Sequence, residues 1–258
     1  ASCTNRLWPD FESMTERSDR PLSETSSLYA HDYYARQLHH EHWFRNNRRK
    51  HELRWRATLR MLCPKRDDVV LDLGCAAGEH ALKLAPHVAR VIGIDNSAAA
   101  IELARARANQ VSNVEFVQAS ATNLIGFSDG YAHKIMAIDF VEHIADDELD
   151  RLQQEAYRVL QPGGRFVLYT PCGSHYVERM KAHNLILKQI PGHIAVRTAG
   201  AYDRRFASLP WRVAERFYLP STYPLFGLID RVLGPLPAIG PLFRFRFCLA
   251  LEKPRDLR

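Results

Sequence analysis

Short apolar runs alternate with helical patterns through the middle of the chain. Apolar runs of strand length occupy residues 69–73, 91–95, 114–117, 134–138 and 165–169. Helical spacing of apolar residues lies between them, over residues 79–85, 97–109 and 149–160. Pro162, Gly163 and Gly164 are expected to end the last of these helices. Because strands that alternate with helices require crossover connections, the pattern predicts a doubly wound α/β fold with a parallel sheet.

The two ends of the chain have different patterns. Residues 1–27 are rich in Ser, Thr, Glu, Asp and Arg, which predicts a flexible tail. Residues 28–64 have helical spacing that stops at Pro64, and we interpret them as an N-terminal helical lid. Residues 65–258 then form the main domain. Within it, 171–189 is predicted as a helix, and 213–219 and 245–251 as a late antiparallel strand pair.

An unusually apolar segment at residues 223–243 lies between the two late strands. Four prolines interrupt it, so it cannot cross a membrane as a helix. It lies inside residues 172–243, which we interpret as substrate-side insertions. Packing against the sheet or a subunit interface would explain it, and so would a lid over an apolar substrate or a contact with a membrane surface.

The charge distribution adds one alternative. The chain carries a net charge of +6, and its densest basic run, residues 45–56, includes Trp55. Such a run is compatible with RNA binding, but it also fits one face of an amphipathic helix. We favour the helix because no motif of a nucleic-acid-binding module accompanies the run. Five scattered cysteines without a C-x-x-C pair, and no signal-peptide core, predict a reducing, cytoplasmic setting.

The residues with the clearest chemistry follow the first two strands. Asp72-Leu-Gly-Cys-Ala-Ala-Gly-Glu79 is a strand end, a tight turn and a helix start, which lets the backbone approach a ligand closely. Asp95 ends the second strand, where a carboxylate can accept hydrogen bonds from ribose hydroxyls. A dinucleotide fingerprint starting at Gly74 would need glycines at positions 76 and 79, which hold Ala76 and Glu79. The spacing therefore predicts a nucleoside pocket that is not a site for NAD.

Four stretches in order, VLDLGCAAG, VIGID, AIDFVEHI and LQPGGRFVLYTP, resemble class I S-adenosylmethionine-dependent methyltransferases, especially the small-molecule group that includes ubiquinone-pathway enzymes. The resemblance covers about residues 68–171. It implies a seven-stranded Rossmann-like sheet and S-adenosylmethionine as the cofactor. It also implies which residues contact each part of the cofactor. The methionine part would be lined by Asp72, Gly74, Cys75, Ala76 and Gly78, and the ribose would be held by Asp95. The adenine would lie beside Asn96, with its amino edge at Ser120, Ala121 and Thr122, and the cofactor would be flanked by Ile138 and Asp139.

Two positions depart from the pattern of that family. Ala76 stands where a third glycine is frequent, and Ser120 stands where an acidic residue usually accepts a hydrogen bond from the adenine amino group. The Ser120 hydroxyl can accept the same bond more weakly.

Methyl transfer to a hydroxyl or amine needs a group that removes a proton. His143 follows the fourth strand at the carboxyl edge of the sheet and is our first candidate. The alternative is that Glu142 or His143 only caps and packs the turn before the next helix. His193 is the second candidate. Tyr33, Tyr34 and Trp43 are candidate substrate contacts from the lid, with core packing as the alternative. His39, His40 and His42 do not share a helix face, so we predict no metal site.

The sequence thus predicts a methyltransferase that acts on an oxygen or nitrogen of a small, hydrophobic molecule, with carbon left open as the acceptor. Two alternatives compete with it: an RNA or protein methyltransferase, and an inactive cofactor-binding partner subunit. Nucleic acid is not expected as a partner. Peripheral membrane contact and a homodimer both remain open.

Overall fold

The computed structural model describes residues 48–185 and 192–255 of the chain. Seven β-strands form one sheet in the order β3-β2-β1-β4-β5-β7-β6. The strands are β1 (Val69–Leu73), β2 (Arg90–Asp95), β3 (Val114–Gln118), β4 (Ala132–Ile138), β5 (Leu160–Pro171), β6 (Arg212–Leu219) and β7 (Arg246–Glu252). Strands β1 to β5 pair in parallel, whereas β7 runs antiparallel to both of its neighbours. This confirms the predicted doubly wound, seven-stranded fold and its late antiparallel pair.

Seven α-helices cover the sheet in the part of the chain that the structure describes. They are α1 (Arg48–Leu62), α2 (Glu79–Leu84), α3 (Ala98–Arg107), α4 (Asp146–Val159), α5 (Tyr176–Ala182), α6 (Ala199–Phe206) and α7 (Pro224–Leu233). Short 3₁₀ turns occupy Ala85–His87, Val141–His143 and Gly240–Phe243. Helix α3 starts where the Ser97 hydroxyl accepts a hydrogen bond from the Ala100 N–H, which satisfies one of the amide donors left over at a helix start.

The core has two layers, one on each face of the sheet. Because side chains alternate along a strand, Leu71 and Leu73 face one layer and Val70 faces the other. The first layer is completed by the inner face of α4, and the second by α1, α2 and α3. Both faces of the central strands are therefore covered, as parallel sheets require.

Helix α1 belongs to the core. Its residues Ala57, Met61 and Leu62 are buried against strand residues such as Val70 and Val167. The second half of the segment that we interpreted as a lid therefore packs on the sheet. Its first half, the tail at 1–27 and the aromatic residues Tyr33, Tyr34 and Trp43 lie outside the described residues, as do His39, His40 and His42.

Two predicted boundaries were wrong. Helix α4 ends at Val159, and the Pro162–Gly164 stretch lies within β5 instead of serving as a loop before it. The Gly163 N–H donates to the Lys253 carbonyl (2.7 Å) and the Lys253 N–H donates to the Gly164 carbonyl (3.0 Å), so pairing with the end of β7 holds this stretch extended. The helix predicted over 171–189 shrinks to Tyr176–Ala182, because 172–175 form a turn closed by the His175 N–H and the Cys172 carbonyl; residues 186–191 are not described.

Helices α6 and α7 were not predicted. No helix among the described residues is long and apolar enough to cross a membrane.

Candidate functional site

The turn after β1 is tight and packed. Gly74 and Gly78 have φ angles of 70° and 75°, in the left-handed region that glycine tolerates best, and Ala76 also has a positive φ of 47°. The N–H groups of Gly74 and Cys75 both donate to the Ile94 carbonyl, at 2.8 and 3.1 Å. A side chain at Gly74 would meet the Phe140 ring at 2.2 Å. Only glycine at position 74 therefore allows the turn to lie this close to Phe140, in the segment after β4.

The Phe116 ring fills the space beneath this turn. A Cβ atom at Gly78 would lie 2.4 Å from the ring, and one at Gly93 would lie 2.5 Å from it. Phe116 itself is buried. Two glycines on different elements thus make room for one aromatic ring, which packs the start of α2 against β2 and β3.

Asp95 ties the turn to the second strand. Its two carboxylate oxygens accept hydrogen bonds from the Ala76 N–H and the Ser97 N–H, each at 2.9 Å. Burial raises the pKa of Asp95, and these backbone donors oppose the rise. The carboxylate therefore lies at the carboxyl end of β2, held in place by the backbone on both sides.

Asp72 is a buried carboxyl group at the end of β1. It accepts a hydrogen bond from the Ala81 N–H in the first turn of α2, but its Oδ2 atom has no partner among the described residues. Burial and the nearby charge of Asp95 raise the pKa of Asp72 to about 8. A buried acceptor without a partner is costly, so it marks a position where a donor from a ligand would be stabilised.

A cavity opens between the ends of β1, β2 and β4. Six of the predicted cofactor residues line it: Gly74, Asp95, Asn96, Ser120, Ala121 and Thr122. The hydroxyls of Ser120 and Thr122 are 2.8 Å apart on its rim. Phe140, Ile144 and Glu148 also line it and were missed from the sequence. Cys75, Ala76 and Gly78 lie in the adjoining turn, and Ile138 is buried at the end of β4.

Asp139 sits between two guanidinium groups, which sequence reasoning did not predict. Arg54 Nη1 of helix α1 donates to Asp139 Oδ2 at 2.7 Å, and Arg246 Nη1 of β7 lies 3.3 Å from Oδ1. Burial alone would raise the pKa of Asp139, but Arg246 and Arg54 hold it well below its usual range. The residue also has a positive φ of 49°, which is uncommon for a residue other than glycine.

The two predicted histidines come together. The rings of His143 and His193 make an edge contact with centroids 4.9 Å apart. Glu142 joins them, and one ligand atom from each of the three residues lies within 4.8 Å of the others. The Glu142 carboxylate is buried and accepts from the Thr170 hydroxyl at 3.0 Å. The sequence signal for Glu142 was its position beside His143.

Burial dominates the electrostatics of this cluster. It lowers the pKa of His143, although the Gly192 carbonyl opposes the change. Burial and the neighbouring His143 lower the pKa of His193 from 6.5 to about 4. Burial and the charge of Asp139 raise the pKa of Glu142 to about 8. At neutral pH both imidazoles and the Glu142 carboxyl are therefore uncharged.

Replacing Glu142 with glutamine is expected to stabilise the protein increasingly as the pH rises from about 4.5 to about 8. The native state keeps a proton on Glu142 that the unfolded chain loses in this window, so the wild type loses stability there, whereas glutamine cannot ionise. Urea denaturation of both proteins at several pH values measures the difference in the free energy of unfolding. Glu102→Gln on the exposed face of α3 is the control. A difference that does not change with pH would contradict the assignment of a neutral Glu142.

The strand order with its antiparallel β7, together with a cavity at the carboxyl ends of β1, β2 and β4, defines the class I methyltransferase fold. A family model for a methyltransferase domain matches residues 70–164. The chain contains a class I S-adenosylmethionine-dependent methyltransferase domain.

Known proteins similar to this chain are diverse. An uncharacterised methyltransferase of Bacillus subtilis, YcgJ, is 27% identical over 163 residues, which cover 60% of this chain and 62% of YcgJ. The crystal structure of YcgJ has a TM-score of 0.59 at 21% identity and covers 80% of this chain and 100% of its own. A 23S rRNA methyltransferase of Pseudomonas aeruginosa, RlmD, is 32% identical over 119 residues, which cover 45% of this chain and 25% of RlmD.

A structure with a small-molecule substrate has the same fold. Geranyl diphosphate C-methyltransferase from Streptomyces coelicolor, solved with Mg²⁺, geranyl diphosphate and S-adenosylhomocysteine, has a TM-score of 0.59 at 19% identity and covers 78% of each chain. The chain spans about 62% of YcgJ and a quarter of RlmD. The two of these proteins whose names give a substrate, RlmD and geranyl diphosphate C-methyltransferase, act on different molecules.

Proposed function

We propose that this protein transfers a methyl group from S-adenosylmethionine to an oxygen or nitrogen of a small, apolar molecule. The observation that carries the proposal is a pair of uncharged, partly buried histidines. His143 lies in the 3₁₀ turn after β4, next to Ile144 of the cavity lining, and the His193 ring contacts it. A neutral imidazole is a competent proton acceptor for a hydroxyl or amine that is being methylated.

The residues at the cavity fit the cofactor. The unpartnered Asp72 Oδ2 would accept from an ammonium group such as that of the methionine part, and Asp95 would accept from the ribose hydroxyls. Ser120 and Thr122 would face the adenine. When bound, S-adenosylmethionine supplies an electrophilic methyl group on a sulfonium that is already a good leaving group. The protein then has to hold the acceptor in line and to take its proton.

The hydrogen bond of His143 determines which ring nitrogen serves as the base. Its Nδ1 lies 2.8 Å from the Gly192 carbonyl, which can only accept, so Nδ1 carries the proton in the neutral ring. Nε2 is consequently the basic nitrogen. The Gly192 contact also orients the ring, in the way that a third group orients the base in other active sites.

Methyl transfer is expected to remain constant as the pH falls through 6.5, the ordinary histidine pKa, and to decline only at lower pH, because burial lowers the pKa of His143. The lowered pKa values of both histidines keep the reactive neutral form populated in that range. Initial rates with tritiated cofactor and a panel of alkylated phenols, catechols and amines measure this profile. A rate that halves near pH 6.5 would contradict the proposal of a buried neutral base.

The role of His143 is tested separately by His143→Gln, for which we expect a fall of about 100-fold in kcat with unchanged binding of S-adenosylhomocysteine. His183→Gln, at an exposed histidine after α5, is the matched control and should leave kcat unchanged. Equal rates for the two variants would show that His143 is not the base.

The same three groups offer an alternative chemistry, because Glu142, His143 and His193 have the composition of a metal site. Incubation with EDTA distinguishes the two uses. Activity that survives EDTA supports the base. Activity that EDTA removes and a divalent cation restores would instead assign the cluster to a metal ion.

An apolar acceptor is supported by the exposed apolar side chains of residues 223–239, and geranyl diphosphate C-methyltransferase shows that this fold can accommodate an isoprenoid. The RNA alternative is less well supported, since Arg54, within the basic run, is committed to Asp139 inside the protein. Steep salt dependence of RNA binding would favour the RNA alternative. Cofactor binding without transfer to any acceptor would favour the inactive-subunit alternative.

A further inference from the structure

The apolar face of helix α7 points outward, whereas the apolar face of an ordinary surface helix points inward. Leu225, Leu228 and Val232 share one face and are 67%, 59% and 62% exposed. The opposite face contains Gly227 and Asp230, both buried, and Asp230 is only 3% exposed. A surface helix normally does the opposite, with its apolar stripe turned inward.

Specific polar contacts fix α7 in this orientation. Asp230 Oδ1 lies 3.0 Å from His175 Nε2, and Oδ2 accepts from the Ser221 N–H at 2.7 Å. His175 Nδ1 accepts from the Val177 N–H, so Nε2 carries the proton that it donates to Asp230. A side chain at Gly227 would meet the Ser221 carbonyl at 2.3 Å. Rotating α7 so that its leucines became buried would break these contacts. The outward orientation of the apolar face is therefore fixed by the buried contacts of Asp230 and Gly227.

The apolar surface continues beyond the helix. Tyr223, Leu236 and Ile239 are also exposed and lie at either end of α7. A contiguous apolar surface of this kind marks an interaction site more often than a chance exposure.

The exposed charges within residues 220–246 have one sign. Asp230 is the only carboxylate between residues 220 and 246, and it is buried against His175. Arg231 is exposed on α7, and together with Arg49 of α1 it lines a cavity at the edge of the apolar face. Arg244 follows the segment. An apolar face rimmed by arginines complements an anionic, apolar partner and would repel a second copy of itself.

We propose that α7 and the flanking residues 223–239 dock on a bilayer that contains anionic lipid, with the apolar face in the acyl boundary and the arginines at the phosphates. The binding is peripheral and lies in the plane of the interface. It goes beyond the proposed methyl transfer and does not depend on it, because vesicle binding is measured without cofactor or acceptor.

The test is co-sedimentation of the full chain with vesicles of phosphatidylglycerol and, separately, of phosphatidylcholine. We expect binding to phosphatidylglycerol to be at least about tenfold tighter, and to weaken as salt is added. Leu225→Ser combined with Leu228→Ser should weaken binding to phosphatidylglycerol by about tenfold or more. The matched control is Ile125→Ser combined with Val213→Ser, which removes two exposed apolar side chains elsewhere and should bind like the wild type.

Several outcomes would overturn the proposal. These are no binding to phosphatidylglycerol, or equal binding by the α7 variant and the wild type. A concentration-dependent dimer in analytical ultracentrifugation that the α7 variant abolishes would assign the face to a second copy. A large fall in the melting temperature of the α7 variant relative to the control variant would mean that another part of the chain covers the face.

Discussion

Asp95→Ala is expected to weaken binding of S-adenosylhomocysteine by about 100-fold, the equivalent of losing two hydrogen bonds to a charged group. The carboxylate is held at the end of β2 by the Ala76 and Ser97 N–H groups, and the proposed ribose contacts come from the same two oxygens. Isothermal titration of the wild type and the variant measures the change. Asp95→Asn, which keeps one side-chain acceptor, should lie between them.

Two controls separate this effect from misfolding. Asp67→Ala removes an exposed carboxylate just before β1, at the other end of that strand, and should bind the ligand like the wild type. NAD should not bind to any of these proteins. If folded Asp95→Ala binds S-adenosylhomocysteine as tightly as the wild type, then Asp95 does not hold the ribose and the proposed cofactor site is wrong.

Arg54→Met is expected to destabilise the protein by about 3 kcal/mol, because removing one partner from a buried ion-pair network leaves the Asp139 charge less well compensated. Arg54 is largely buried, and its guanidinium contacts both Asp139 and Glu79, at 2.7 and 3.6 Å. The variant leaves Asp139 with Arg246 and the smaller effect of Lys50, so the pKa of Asp139 should rise toward the usual carboxylate range. The stability that the ionised Asp139 contributes is then lost at a higher pH during acid titration than in the wild type.

The matched control for this prediction lies on the same helix. Arg56 is paired with Glu52 on the exposed face of α1, where an ion pair contributes little. Arg56→Met should therefore unfold at nearly the wild-type urea concentration. Equal effects of the two substitutions would mean that the contact between Arg54 and Asp139 does not hold α1 on the sheet.

The sequence was most informative where local pattern and tertiary environment agree. Strands β1 to β5 are short apolar runs because parallel strands are buried on both faces. This pattern can be recognised in the sequence without knowing which segments pack together. The turn from Asp72 to Gly78 was equally readable, since left-handed φ angles select glycine at positions 74 and 78.

The features that were missed depend on partners far away in the chain. Arg54 belongs to a basic run that reads as a solvated surface, and only folding brings it to Asp139, 85 positions away. Helix α7 was missed because its buried residues are Gly227 and Asp230 while its leucines face outward, so its pattern was assigned to a packed apolar segment. The Pro162–Gly164 stretch looks like a helix stop followed by a loop until its pairing with Lys253 is known.

The space shared by Gly78, Gly93 and Phe116 has a consequence for how this domain can diverge. Alanine at either glycine would displace the Phe116 ring, and a smaller residue at 116 would leave a void beneath the glycine turn. Substitutions at the three positions are therefore coupled, although the residues lie on three different elements. Among relatives that retain this turn, we expect a larger residue at position 78 or 93 to occur together with a smaller side chain at 116.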